Sequence, residues 1–130
     1  MSPNRLSNLT IVVVEDHDDS RNFLAIYLRR FAANVVEARN AVEGLHAIKN
    51  AQPNLVLCDI QMPDVDGFEL LRQIRALGPG AGGDVPIIAM SAIFSRADRP
   101  HIFAAGFQEC VAKPFGADQL MEAILRVLGD

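Results

Sequence analysis

The stretch Leu55-Val56-Leu57-Cys58-Asp59-Ile60-Gln61-Met62-Pro63-Asp64-Val65-Asp66-Gly67 contains the transition that decides how this chain folds. Its first four residues are an unbroken apolar run, the pattern of a strand buried on both faces rather than one alternating between core and water. The run meets Asp59 and then a segment with Pro63, two further aspartates and a glycine, the composition of a loop. Phe68, Leu71, Ile74 and Arg75 follow at helical spacing. The whole stretch therefore reads as strand, polar loop, helix.

The same unit recurs to either side. Upstream, Leu9 to Val14 is an apolar, mostly β-branched run that ends at Glu15, Asp16, Asp18 and Asp19. Asp18 or Asp19 is the expected cap of a helix carrying Phe23, Leu24, Tyr27, Leu28 and Phe31. A short strand over Val35 to Ala38 leads to a helix capped by Asn40, which runs to Ala51 and stops near Pro53. Downstream, Gly78 to Gly83 breaks the third helix, and Val85 to Met90 forms a strand that ends at Ser91. A loop and a short helix follow, with Asp98 as cap and Pro100 in the first turn, and Gly106 ends it. Gln108 to Ala112 is the last strand, ending at Lys113, and Ala117 to Leu128 is a closing helix with Leu120, Ile124, Val127 and Leu128 on its inner face. Repeated βα units of this kind make an α/β fold, a doubly wound five-stranded parallel sheet with helices on both faces.

At 130 residues the chain has room for one domain, against a usual ~100 to 150. The reading divides it into an N-terminal extension, residues 1–8, and the domain itself, residues 9–130. A formal net charge of −4 has the wrong sign for direct nucleic-acid binding through phosphate neutralisation. No apolar run approaches the ~18 residues of a membrane span, and the polar start lacks the apolar segment of a signal peptide, so a cytoplasmic protein without membrane contact is expected. Cys58 and Cys110, each in apolar surroundings, are expected to be free buried thiols.

In open parallel sheets ligands bind at the carboxyl ends of the strands. That edge gathers Glu15 and Asp16 from strand one, Asp59 from strand three, Ser91 from strand four and Lys113 from strand five. Clustered carboxylates repel one another, and a hard divalent cation with oxygen ligands, Mg²⁺ above all, relieves that repulsion. A lysine and a hydroxyl beside such an ion suit phosphoryl oxygens, and a carboxylate can attack in line to form an aspartyl phosphate.

At these residues the sequence resembles the receiver domain of two-component response regulators. The resemblance runs from about Leu9 to Leu128 and rests on Val14-Glu15-Asp16, Asp59-Ile60-Gln61-Met62-Pro63, Asp66-Gly67, Ser91-Ala92 and Lys113-Pro114-Phe115, in order and each at its own strand end. It implies the flavodoxin-like strand order 2-1-3-4-5 and a cis Lys113-Pro114 bond. It further implies that Asp59 is the phosphoacceptor of a two-component phosphorelay, served by the phosphohistidine of a sensor histidine kinase or phosphotransfer domain. Glu15, Asp16, Asp59 and the backbone carbonyl of Gln61 would hold Mg²⁺, and Ser91 and Lys113 would contact the phosphoryl oxygens. Acceptance and autodephosphorylation, not dedicated turnover, is the expected chemistry. Output is expected through protein contact at the face of helix four, strand five and helix five, in a stand-alone regulator or as part of a longer protein.

Other readings of these residues are weaker. A Mg²⁺-dependent phosphatase with an aspartyl nucleophile needs the same groups, but typically a second acid two residues on, where this chain has Gln61. Gly78 to Gly83 satisfies G-x-G-x-x-G, yet it follows a helix and precedes a strand, the reverse of a pyrophosphate cradle, and reads as a flexible connector. His17 reads as a solvated residue at a helix start, and His46 and His101 lack zinc-site spacing. Many receivers carry an aromatic residue three positions before the lysine. Here it is Cys110, a side chain too small to act as the lever of a ring-flip switch.

Overall fold

A computed structural model describes residues 3–92 and 98–129. Five strands alternate with five helices: β1 (Thr10–Val14), α1 (Asp18–Arg29), β2 (Asn34–Ala38), α2 (Ala41–Ala51), β3 (Leu55–Asp59), α3 (Gly67–Arg75), β4 (Ile87–Ser91), α4 (Asp98–Ala105), β5 (Glu109–Ala112) and α5 (Ala117–Leu128). All strand pairs are parallel and the order across the sheet is β2-β1-β3-β4-β5, as expected.

The period of two along each strand sorts the apolar residues onto the two faces. Val12, Val14, Val56, Cys58, Ile87 and Ala89 pack with Ile48 of α2, Leu70 and Ile74 of α3 and Ile102 of α4. Ile11, Val13, Leu55, Leu57, Ile88 and Met90 pack with Leu24 and Leu28 of α1 and Leu120 and Ile124 of α5. Each such fully buried aliphatic side chain contributes about 1.5–3 kcal/mol relative to exposure. The central strands β1, β3 and β4 carry unbroken apolar runs because each is covered on both sides. Cys58 and Cys110 are both free and buried.

Several boundaries differ from the sequence reading for local reasons. The cap of α1 is His17, whose Nδ1 accepts from the Ser20 amide at 3.3 Å, and neither Asp18 nor Asp19 takes that place. Asp18 lies inside the first turn, bound to Arg21 at 2.6 Å. Asn40 does cap α2, accepting from Glu43 N at 2.9 Å. β4 begins at Ile87, after Pro86, which has no N–H to offer a ladder. Gln108 stays outside β5 while its side-chain Oε1 accepts from Ile87 N at 2.8 Å. The glycine connector is more tied than its composition suggests. Gly83 N donates to Gly78 O at 2.9 Å, and the Arg75 guanidinium donates to the carbonyls of Gly83 and Val85 at 2.9 and 2.7 Å. The capping side chain expected of Asp98 and the loop at 93–97 lie outside the described residues. Among the described residues no helix is long and apolar enough to cross a membrane. Lys113-Pro114 is cis.

Candidate functional site

The parallel register carries the polar ends of the strands to one edge. Val14 pairs with Cys58, so Glu15 and Asp59 leave adjacent strands side by side, and Asp59 pairs with Met90, which places Ser91 next. Glu15, Asp16 and Asp59 each offer a carboxylate oxygen, and these atoms lie within 4.8 Å of one another. Glu15 and Asp59 are buried while Asp16 is exposed, so the cluster opens to solvent on one side.

Lys113 comes in from the end of β5. Its Nζ lies 2.5 Å from Glu15 Oε1 and 3.3 Å from Asp59 Oδ2. One ammonium among three carboxylates leaves an acidic excess, and the donor set is entirely hard oxygen. That combination fits a small divalent cation and is a poor match for zinc. Burial pushes the Asp59 carboxyl up to about 7, helped by the hydrogen bond and negative charge of Glu15 and opposed by Lys113 and the Gln61 amide. Burial works to raise Glu15 as well, but Asp59, Lys113 and the His17 amide outweigh it and hold Glu15 below its ordinary value. Burial works to lower Lys113, and the two carboxylates overcome it, so the ammonium is held above its usual range. Without a cation, then, Glu15 is the ionised partner of Lys113 and Asp59 is the carboxyl that keeps a proton towards neutral pH.

Two side chains that the sequence reading left aside complete the site. Arg21 Nη1 donates to the Glu15 backbone carbonyl at 2.9 Å, fixing the acidic end of β1 against α1. The Gln61 amide N–H donates to Asp59 Oδ1 at 3.1 Å, while its carboxamide reaches across to β4, with Nε2 donating to Ser91 Oγ at 3.1 Å and Oε1 accepting from Ala92 N at 2.9 Å. The sequence points to Gln61 for its backbone carbonyl and for the acid it replaces, not for a side-chain contact. Nothing in its sequence position signals a bridge to residues 30 and 31 places on. The carboxamide also cannot protonate a leaving group, so the acid expected of the phosphatase chemistry is missing.

Beside the cluster opens a cleft of about 590 Å³, lined among others by Glu15, Asp19, Phe23, Lys113 and Phe115. Its wall is apolar at Phe23, Leu24 and Phe115, and its charged lining includes Glu15 and Lys113, the neighbours of Asp59. Cys110, the residue three before Lys113, is buried in the core with Ile102 and Phe107.

Comparison with known proteins agrees with this geometry. The sequence profile of the response regulator receiver domain matches residues 11–125. A 14.6 kDa protein from the sodA1 3′ region of Leptolyngbya boryana is 34% identical over 119 residues, which is 92% of this chain and 89% of that protein. The KDP operon transcriptional regulatory protein KdpE of Escherichia coli strain K12 is 33% identical over 90% of this chain, which spans 49%, about half, of that relative's length. The receiver domain of sensor histidine kinase PA1611 from Pseudomonas aeruginosa PAO1, solved with a magnesium ion coordinated in its active site cleft, superimposes with a TM-score of 0.83 at 27% identity, covering 95% of this chain and all of that one. Fold, strand-end chemistry and similarity over nearly the whole length coincide, and the chain belongs to the receiver-domain family of response regulators, the phosphoacceptor domains of two-component systems.

Proposed function

We propose that Asp59 is the phosphoacceptor, that Glu15, Asp16, Asp59 and the Gln61 backbone carbonyl hold Mg²⁺, and that Ser91 and Lys113 bind the phosphoryl oxygens. The observation that carries this reading is the position of Asp59: buried on its strand, joined to Lys113 at 3.3 Å and grouped with two further carboxylates at the only acidic cluster of this kind among the described residues. An Asp59 oxygen attacks phosphorus, the donor's N–P bond breaks, and the departing imidazole takes up a proton. Lys113, held protonated by Glu15 and Asp59, offsets charge on the phosphoryl oxygens as they pass to Asp59. Bound Mg²⁺ would supply the remaining positive charge and keep Asp59 ionised. The donor is the phosphohistidine of a histidine kinase or phosphotransfer domain, and the setting is the cytoplasm.

Output by protein contact is assigned to the face of α4, β5 and α5. There Glu109 pairs with Arg126 at 2.9 Å and Arg99 at 3.8 Å, and Phe103 remains 38% exposed, a mix of charge and apolar surface suited to a docking partner. A small acyl phosphate with Mg²⁺ should add one phosphoryl group, read by intact mass. EDTA added before the donor, or Asp59→Asn, should prevent the adduct from forming. A stable adduct on the Asn variant, or none on the wild type with small donors and a cognate kinase alike, contradicts the assignment.

A further inference from the structure

The geometry points to the Gln61 carboxamide as a latch: it holds Ser91 and Ala92 in the unphosphorylated protein and is displaced when a phosphoryl group is bound on Asp59. This rests on Asp59 as phosphoacceptor and adds a positioning residue that sets how readily the site responds. Gln61 touches both sides of the site at once. Its backbone N–H is on Asp59 Oδ1 at 3.1 Å, its Nε2 on Ser91 Oγ at 3.1 Å and its Oε1 on Ala92 N at 2.9 Å.

The two carboxamide bonds act differently. The Ala92 amide has one hydrogen, and it is spent on Gln61 Oε1, so it is not available to an anion. The Ser91 hydroxyl accepts from Gln61, and that bond fixes where its oxygen sits. A phosphoryl group on Asp59 draws donors towards itself from the end of β4. Ser91 and Ala92 are the described residues there, and both are tied to Gln61. Gln61 itself is an exposed residue, so its carboxamide, once released, is hydrated at little cost. A latch on the surface can open without unfolding anything, and its effect should be modest.

Beryllofluoride is the probe, titrated at saturating Mg²⁺ into wild type, Gln61→Ala and Gln61→Met. The Met variant keeps the length of the side chain but neither hydrogen bond. Losing two hydrogen bonds at the weak, solvent-exposed end of the ordinary range should tighten beryllofluoride binding roughly 5-fold in both variants. In the free proteins the Ala92 amide should exchange faster with solvent than in wild type. A role as ligand to the phosphoryl group would give the opposite sign, weaker binding. Equal or weaker beryllofluoride affinity in either variant overturns the latch, as does unchanged exchange at Ala92. Should folded wild type fail to bind beryllofluoride at all, the phosphoacceptor assignment fails and the latch goes with it. Wild-type binding without the gain in the variants removes the latch alone.

Discussion

Burial, with the hydrogen bond and negative charge of Glu15, raises the Asp59 carboxyl to a pKa of about 7 against the opposing pull of Lys113 and the Gln61 amide. A carboxyl whose pKa is higher in the folded than in the unfolded chain contributes stability fully below the unfolded value of about 4, and that contribution is lost as pH rises through the folded value. In EDTA, wild type minus Asp59→Asn should therefore fall in unfolding free energy from pH 4 to pH 8, with the Asn variant the more stable at pH 8. Urea denaturation of both proteins across that range checks this, and a constant difference contradicts it. Glu15, Asp59 and Lys113 could be singled out in the sequence because each sits where an apolar run ends. The cap of α1 could not: Asp18 and Asp19 are the two candidates the residue types offer, whereas His17 caps the helix and Asp18 pairs with Arg21 inside the first turn. The bridge made by Gln61 was equally hidden, since it depends on how two loops from different strands meet.

The start of α3 is where an element's own packing sets the site. Asp66 caps the helix by accepting from Glu69 N at 3.0 Å, and Gly67 N donates to Ile60 O at 2.9 Å, so the first turn lies directly on the loop that follows Asp59. A Cβ at Gly67 would stand 2.8 Å from Ile60 Cα and 2.9 Å from Asp59 O, both backbone atoms that can move only by shifting the loop. Gly67→Ala should cost about 1–3 kcal/mol and slow phosphorylation of Asp59 by small donors. Gly80→Ala, at a position with nothing within 4 Å, should stay within about 0.5 kcal/mol of wild type and keep its rate. Equal effects at the two glycines would mean that the close approach does not govern the loop. The sequence identified Asp66 and Gly67 as turn residues from their types. That the glycine is needed for contact with β3 is a tertiary fact, invisible to local pattern. Strand starts were misplaced at Val85 and Gln108 for a similar reason: Arg75 takes the Val85 carbonyl and Ile87 takes the Gln108 side chain, contacts that join distant segments.

For the molecule as a whole, the order of apolar runs and helical segments was enough to anticipate a doubly wound sheet, because a strand covered on both faces carries its burial in its own composition. What composition conceals is a single apolar residue in a polar segment. Residues 1–8 read as an extension, yet Leu6 is fully buried, packed in the layer with Ile11, Leu28 and Phe31. Its amide donates to Phe31 O at 2.8 Å, and Leu9 N returns to Leu6 O at 3.2 Å, so Leu6 is tied both to the turn after α1 and to the start of β1. A lone leucine among Pro3, Asn4, Arg5, Ser7 and Asn8 makes no periodic signal, and the residues it packs against lie on β1, α1 and the turn that follows α1. If the segment belongs to the core, Leu6→Ala should cost about 2–5 kcal/mol, the usual penalty of emptying a buried leucine site. Deleting residues 1–8 should cost at least as much. Ser7→Ala, at an exposed position in the same segment, should be nearly neutral. The proposed phosphorylation site, at the carboxyl ends of the strands, lies away from Leu6, so Leu6→Ala should lower the urea midpoint while the folded fraction still takes one phosphoryl group on Asp59. A midpoint unmoved by either Leu6→Ala or the deletion would return residues 1–8 to the status of an appendage.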